Sequence, residues 1–164
     1  MKKIILLFCV SVMFPFMSCS QSSENLMEIG KIEKENVVIT AKEIDLITML
    51  DRGLDRSNVK GEIEKVILKK DIVEGTKDTE YYMLLGSNKD NSIKIAVDLI
   101  LNDNVLYARL LEFTDVFAET CTCSGSCTKG CDPRRWVDDY EIISWLCSDC
   151  KLKNKTCNKS VTTN

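Results

Sequence analysis

Cysteine is distributed very unevenly along this chain of 164 residues. No cysteine lies between residues 20 and 120, and seven then follow, at Cys121, Cys123, Cys127, Cys131, Cys147, Cys150 and Cys157. A segment of about 40 residues buries too little apolar surface to fold alone, and such segments are usually held together by disulfides or a metal. The cysteines therefore divide the chain into a globular body and a small, irregular, crosslinked module at residues 119–164.

A disulfide framework is the first interpretation of these seven thiols. Each crosslink would contribute roughly 2–4 kcal/mol to the stability of the module. Because the number is odd, one of the seven stays unpaired, and the connectivity is left open. Cys121 and Cys123 are too close in sequence to bond to each other without strain. We expect both to bond to later cysteines and to attach the module to the end of a sheet.

A metal site is the alternative, with thiolates around zinc or another thiophilic ion. Cys147 and Cys150 have the two-residue gap common in zinc knuckles, and a carboxylate from Asp132 or Asp149 could join them. The same C-x-x-C pair suggests a thiol redox site, but the strand–helix–strand setting of thioredoxin is missing around it. The disulfide interpretation needs no cofactor, and the metal interpretation needs zinc or a similar ion.

The chain contains no histidine, which removes the commonest catalytic groups. No Ser-His-Asp or Cys-His arrangement can form, and no imidazole is present to bind a metal. The formal net charge of −3 gives no basic excess for nucleic acid. The acidic residues of the body fit solvated faces better than a paired catalytic site. We therefore expect a protein that is not an enzyme and does not bind nucleic acid.

The body, residues 37–118, is predicted to be a small α+β domain. Thr40 and Glu43 suggest a capping box ahead of an amphipathic helix over residues 41–52, with Gly53 at its end. The apolar face of this helix would carry Ile44, Ile47, Leu50 and Leu54. Strand patterns follow at residues 61–73, 81–85, 93–101 and 105–113. We expect one main helix packed on this small antiparallel β-meander.

The strand at residues 93–101 has the clearest pattern in the chain. Ile93, Ile95, Val97, Leu99 and Leu101 alternate with Lys94, Ala96, Asp98 and Ile100. Strict alternation predicts one face buried against the helix and one face mostly in solvent.

The N-terminal residues have the pattern of an export signal. Lys2 and Lys3 precede an apolar run over residues 4–17, which is shorter than the about 20 residues of a membrane-spanning helix. The run ends in Phe16-Met17-Ser18-Cys19, which resembles the lipobox of bacterial lipoproteins. The resemblance implies that residues 1–18 are removed and that Cys19 carries a diacylglyceryl thioether and an N-acyl chain. Two or more acyl chains suffice for stable membrane anchoring.

The same resemblance implies an address. Ser20 replaces the aspartate often linked with retention in the inner membrane, so the outer membrane is expected, on its periplasmic or outer face. Residues 19–36 are then the lipidated cysteine and a tether, although Leu26, Ile29 and Ile32 have a spacing that permits a short helix.

These features together predict a lipid-anchored protein of the cell envelope with a binding or structural role. Its first partner is the lipid bilayer, and a second would be an envelope protein or a glycan. Near the C-terminus, a lysine-rich run either is a solvated tail or docks on an anionic surface. It comprises Lys151, Lys153, Lys155 and Lys159. An envelope metal-binding protein is the alternative function, and a thiol redox protein is a further one.

Overall fold

The computed structural model describes residues 25–139 and 141–163, so the predicted signal peptide and Cys19 lie outside the described residues. The fold is mostly β, with 49% of it in strands and one short helix. The helix is α1 (Glu43–Arg56). The strands are β1 (Leu26–Glu33), β2 (Asn36–Ile39), β3 (Lys65–Ile72), β4 (Glu80–Ser87), β5 (Ile93–Asn102), β6 (Val105–Arg109), β7 (Thr120–Ser124), β8 (Pro133–Val137), β9 (Ile143–Cys147) and β10 (Asn158–Thr162).

Eight of these described strands form one antiparallel sheet. Strands β3, β4, β5 and β6 pair in chain order, as the predicted meander requires, and β6 then pairs with β1 and β1 with β2. Because β2 lies beside β3, the sheet is nearly closed. The first half of β5 also pairs with β7, which pairs with β10. Strands β8 and β9 form a separate hairpin.

The predicted helix is present, but its boundaries and its cap differ from the prediction. The side chain of Lys42, at the N-cap, makes no capping hydrogen bond. The hydroxyl of Thr40 instead donates to Glu28 Oε1 at 2.9 Å, which ties the start of α1 to β1. The predicted capping box is therefore wrong. Leu50 is fully buried as expected, whereas Ile44 is 66% exposed because the buried face is centred elsewhere on the helix. The buried helical residues are Leu46, Met49, Leu50, Gly53 and Leu54.

Gly53 lies inside α1 and does not end it. A Cβ atom at this position would come within 2.8 Å of Ile95 Cδ1 on β5. Gly86 on β4 has the same role, because a Cβ there would lie 2.8 Å from Leu50 Cδ1. The two glycines therefore let the helix pack closely on β4 and β5, at the centre of the main hydrophobic core.

Residues 26–33 form β1, in place of the tether and short helix that the sequence suggested. This strand pairs on both of its edges, with β2 and with β6. Ile29 is fully buried in the core. Pairing on both edges outweighs the weak helical spacing of this segment, so the prediction of a tether or short helix is wrong for residues 26–33.

Strand β5 is buried on both faces, although one face was predicted to be mostly solvated. Ile95 and Val97 lie in the core with α1, as expected. On the opposite face, Ala96 is fully buried and Lys94 is only 8% exposed. The cysteine-rich segment covers this face, so the prediction of a solvated face is wrong at residues 94 and 96. The segment is a second layer of the fold, on the other side of the sheet.

Candidate functional site

Three disulfides crosslink the C-terminal segment. They join Cys123 to Cys147, Cys127 to Cys150 and Cys131 to Cys157. Cys123, Cys127 and Cys131 each bond to a cysteine that follows by 23 to 26 residues. The prediction of a disulfide framework in this segment is confirmed, and Cys121 is the unpaired thiol.

The disulfides form the centre of a second hydrophobic cluster. Cys123 and Cys127 are fully buried. They pack against side chains on the outer face of β4 and β5, which is the face that points away from α1. Because β7 belongs to the main sheet, the bond between Cys123 and Cys147 attaches the β8–β9 hairpin directly to that sheet. Cys123 therefore fulfils the expectation of a bond to a later cysteine, whereas Cys121 on the same strand does not.

Cys121 is an unpaired thiol in an apolar environment. It is fully buried. Burial raises the pKa of its thiol from 9.0 to about 12, although the charges of Lys159 and Arg135 act in the opposite direction. Its sulfur lies within 4.8 Å of the sulfurs of Cys123 and Cys147. The distance suits thiol–disulfide exchange, but only the thiolate attacks, and almost none is present at neutral pH.

The same three sulfurs form a group with metal-binding geometry. Cys123 and Cys147 are bonded to each other, so Cys121 is the one thiol of this group that could bind an ion while the disulfide is intact. The C-x-x-C pair suggested as a knuckle or redox site is also divided. Cys147 bonds to Cys123 and Cys150 to Cys127, so the pair does not form its own disulfide.

Arg135 on β8 connects the outer hairpin to the main sheet. Its guanidinium donates to Asp98 Oδ2 on β5 at 2.7 Å and lies 3.3 Å from Glu119 Oε1. It also stacks over the ring of Trp145, 4.2 Å from the centroid. The indole N–H of Trp145 donates to Glu119. A cavity of about 220 Å³ lies beside this cluster, but these charged groups already pair with one another.

Lys94 is buried between the sheet and the C-terminal segment, although the alternating pattern of its strand predicted a solvated position. Its ammonium donates to Asp132 Oδ1 at 2.6 Å and to the carbonyl oxygen of Gly130 at 2.8 Å. It thereby holds the loop next to Cys131 on the outer face of β5. One sequence feature could have indicated this burial. Lys94 lies between two isoleucines in a strand whose strong alternation suits a central position in a sheet.

The lysines of the lysine-rich run are all exposed, and one of them also contacts the hairpin of β8 and β9. Lys159 donates from its ammonium to the backbone oxygen of Trp145 at 3.1 Å. Lys155 and Lys159 line an open cavity of about 340 Å³ together with Asp149 and three disulfide cysteines. Two lysines of the run therefore lie at one surface depression, where Asp149 reduces the positive charge.

No family model, curated protein or solved structure matches this chain. Within residues 25–139 and 141–163, no helix is both long enough and apolar enough to cross a membrane.

Proposed function

We propose that this protein is a lipid-anchored component of the bacterial cell envelope, with a binding or structural role and no catalytic activity. The observation that carries the proposal is the set of three disulfides. Such bonds form and persist outside the reducing cytoplasm. They agree with an export signal that ends at the lipobox cysteine Cys19.

The pairing of the polar groups supports a role without catalysis. Lys94 and Arg135, whose side chains are only 10% and 12% exposed, are both paired with carboxylates. The thiol of Cys121 is held protonated by burial, which raises its pKa. A catalytic site usually directs such groups into a cleft where a substrate can reach them. Here they hold one layer of the protein against another.

The partners follow from the anchor and from the crosslinked surface. The acyl chains on Cys19 bind the lipid bilayer, and the outer membrane is the proposed location. A second partner, an envelope protein or a glycan, would bind the disulfide-stabilised layer. The cavity beside Lys155 and Lys159 is the proposed place for an anionic group of such a partner.

Replacement of the lipobox cysteine tests the anchor. Cys19→Ala should abolish incorporation of a labelled fatty acid in bacteria that express the full chain and should release the protein from the membrane fraction. Cys9→Ala is a matched control, because Cys9 lies in the segment that is removed and should leave labelling unchanged. Equal labelling of the Cys19→Ala variant and the natural chain would refute the proposed anchor.

A metal-binding envelope protein remains the second candidate, because three sulfurs lie within 4.8 Å of one another. Once the disulfide between Cys123 and Cys147 is reduced, these residues and Cys121 would present three thiolates to zinc. Intact mass spectrometry of purified protein separates the two candidates. The disulfide form gains two hydrogens for each of its three disulfides on reduction, whereas a metal form carries zinc and gains fewer.

A further inference from the structure

Phe113 is the most exposed of the large apolar side chains in the described residues, at 98%. It lies at the tip of the loop between β6 and β7. Its φ of 61° places it in the left-handed region, which residues other than glycine rarely adopt. The loop therefore accepts an unfavourable backbone conformation and keeps an aromatic ring in solvent. Backbone held in this region is often found at interaction sites.

Hydrogen bonds define the backbone of the loop on both sides of Phe113. The amide of Leu111 donates to Val116 O at 2.8 Å, and the amide of Thr114 donates to Leu111 O at 3.2 Å. Arg52 of α1 donates to the backbone oxygen of Asp115 at 3.3 Å. These bonds fix the loop against itself and against the helix.

The N-terminal end of the described chain lies beside this loop. The amide of Leu110 donates to Asn25 O at 2.8 Å, and the side-chain amide of Asn25 donates to Leu111 O at 3.1 Å. Leu26, the next residue, is 41% exposed. Cys19 precedes Asn25 by six residues, so even a fully extended chain places them at most about 20 Å apart. An acyl group on Cys19 therefore keeps the loop close to a bilayer.

We infer that the Phe113 loop is a second membrane contact, which inserts its aromatic ring into the interface of the bilayer that holds the acyl chains of Cys19. This inference rests on the proposed lipid anchor. The partner of the loop is a bilayer, because the short segment between Cys19 and Asn25 keeps the loop near the membrane that holds the acyl chains. Because Glu112 and Asp115 lie beside the ring, the contact depends on burial of the apolar ring and not on attraction to anionic lipid, so salt should not weaken it on a zwitterionic bilayer. One ring adds little to the affinity of several acyl chains, so its effect is to orient the body.

Fluorescence quenching by the lipids tests the contact. The mature, full-length Phe113→Trp variant is reconstituted in phosphatidylcholine vesicles whose acyl chains carry bromine, and the emission of the natural chain is subtracted. Because an indole at the interface lies within reach of the bromines, we expect quenching at least about twofold greater than for a control tryptophan. The control is Ile142→Trp, in the turn between β8 and β9, where Ile142 is 58% exposed.

Intact mass spectrometry of the same samples separates the two proposals. If the protein is acylated and both tryptophans are quenched equally, the loop does not contact the bilayer and the anchor stands. If no acyl chain is present and the protein stays in solution, both proposals fail. Blue-shifted emission of the introduced tryptophan in unacylated protein, in buffer without detergent, would show that protein covers the ring and would also overturn the inference. Strong quenching that is unchanged by salt supports it.

Discussion

The two faces of strands β4 and β5 are covered in different ways. On one face, α1 and the neighbouring strands bury leucine, isoleucine and valine side chains in a core of ordinary composition. On the other face, the C-terminal segment covers the sheet with four buried cysteines, Trp145 and few aliphatic residues. The stability of the core under α1, the inner core, comes from the area of apolar surface removed from water. The stability of the C-terminal segment, the outer layer, comes from covalent bonds and from ion pairs with the sheet.

This difference shows how a short, irregular segment can become a stable layer. The segment holds a single two-stranded hairpin, β8–β9, which would be marginal alone. Two of its other strands, β7 and β10, join the main sheet, and the disulfide between Cys123 and Cys147 attaches the hairpin to β7. The outer layer therefore depends on the body for its shape, and its crosslinks keep it in place.

Reduction of the disulfides is expected to have the largest effect on the stability of the outer layer. Each of the three crosslinks contributes about 2–4 kcal/mol to the free energy of unfolding. Dithiothreitol at neutral pH should therefore expose the outer layer while the inner core keeps its structure. Amide hydrogen exchange should accelerate in β8 and β9 and remain slow in α1 and β4.

Alkylation of the reduced protein is the control that keeps the thiols from re-forming their bonds. If amides of α1 and of β9 lose protection together, the two layers form one cooperative unit. The contrast between an independent inner core and a dependent outer layer would then be wrong.

A substitution of Lys94 is expected to have an intermediate effect. Lys94→Met leaves the Gly130 carbonyl without its donor and separates Asp132 from its partner. Because the Asp132 side chain is 46% exposed and can be rehydrated, we expect a loss of about 1–2 kcal/mol in urea unfolding.

Lys69→Met is the matched control for Lys94. Lys69 and Asp71 form an ion pair of the same length, 2.6 Å, but the Lys69 side chain is 41% exposed. Water screens such a pair, so its loss should change the free energy of unfolding by about 0.5 kcal/mol or less. Equal effects of the two variants would mean that Lys94 does not hold the outer layer on β5.

The inner core could be predicted from the sequence, because its elements have local signals. The alternation of residues 93–101 predicted β5, and Leu50 and Leu54 at helical spacing predicted α1. The capping box failed because Thr40 pairs with Glu28 on a distant strand, which no local pattern can show. Residues 26–33 form β1 only because β2 and β6 pair with it on both edges.

The candidate site was less predictable for the same reason. The cysteine count predicted three disulfides and one unpaired thiol, as observed. Which cysteines pair depends on which strands become neighbours, and this cannot be deduced from the spacing of the cysteines in the sequence. The burial of Lys94 and Ala96 likewise depends on a segment that is far away in sequence.

Alkaline pH is expected to have the smallest effect on the free energy of unfolding. It tests whether Cys121 in the outer layer is a buried, protonated thiol. Burial raises the pKa of this thiol in the folded protein to about 12, from an ordinary value of 9.0. The folded state therefore keeps its proton where the unfolded chain loses it. The stability from this group is fully present below pH 9 and is lost as the pH rises toward 12. Between pH 9 and pH 10 the free energy of unfolding should fall by about 1 kcal/mol through this thiol.

Lysines and tyrosines also titrate in this range, so the comparison with Cys121→Ala isolates the thiol. The natural chain should lose more stability than the variant between pH 9 and pH 10, measured by urea unfolding. Iodoacetamide should leave Cys121 unmodified in the folded protein at pH 8 and modify it after denaturation, because the thiolate is the reacting form. Rapid modification of the folded protein would show that the thiol is accessible and ionised. In that case the outer layer contains a reactive cysteine beside a disulfide. Thiol–disulfide exchange would then describe the role of Cys121 better than a purely structural one.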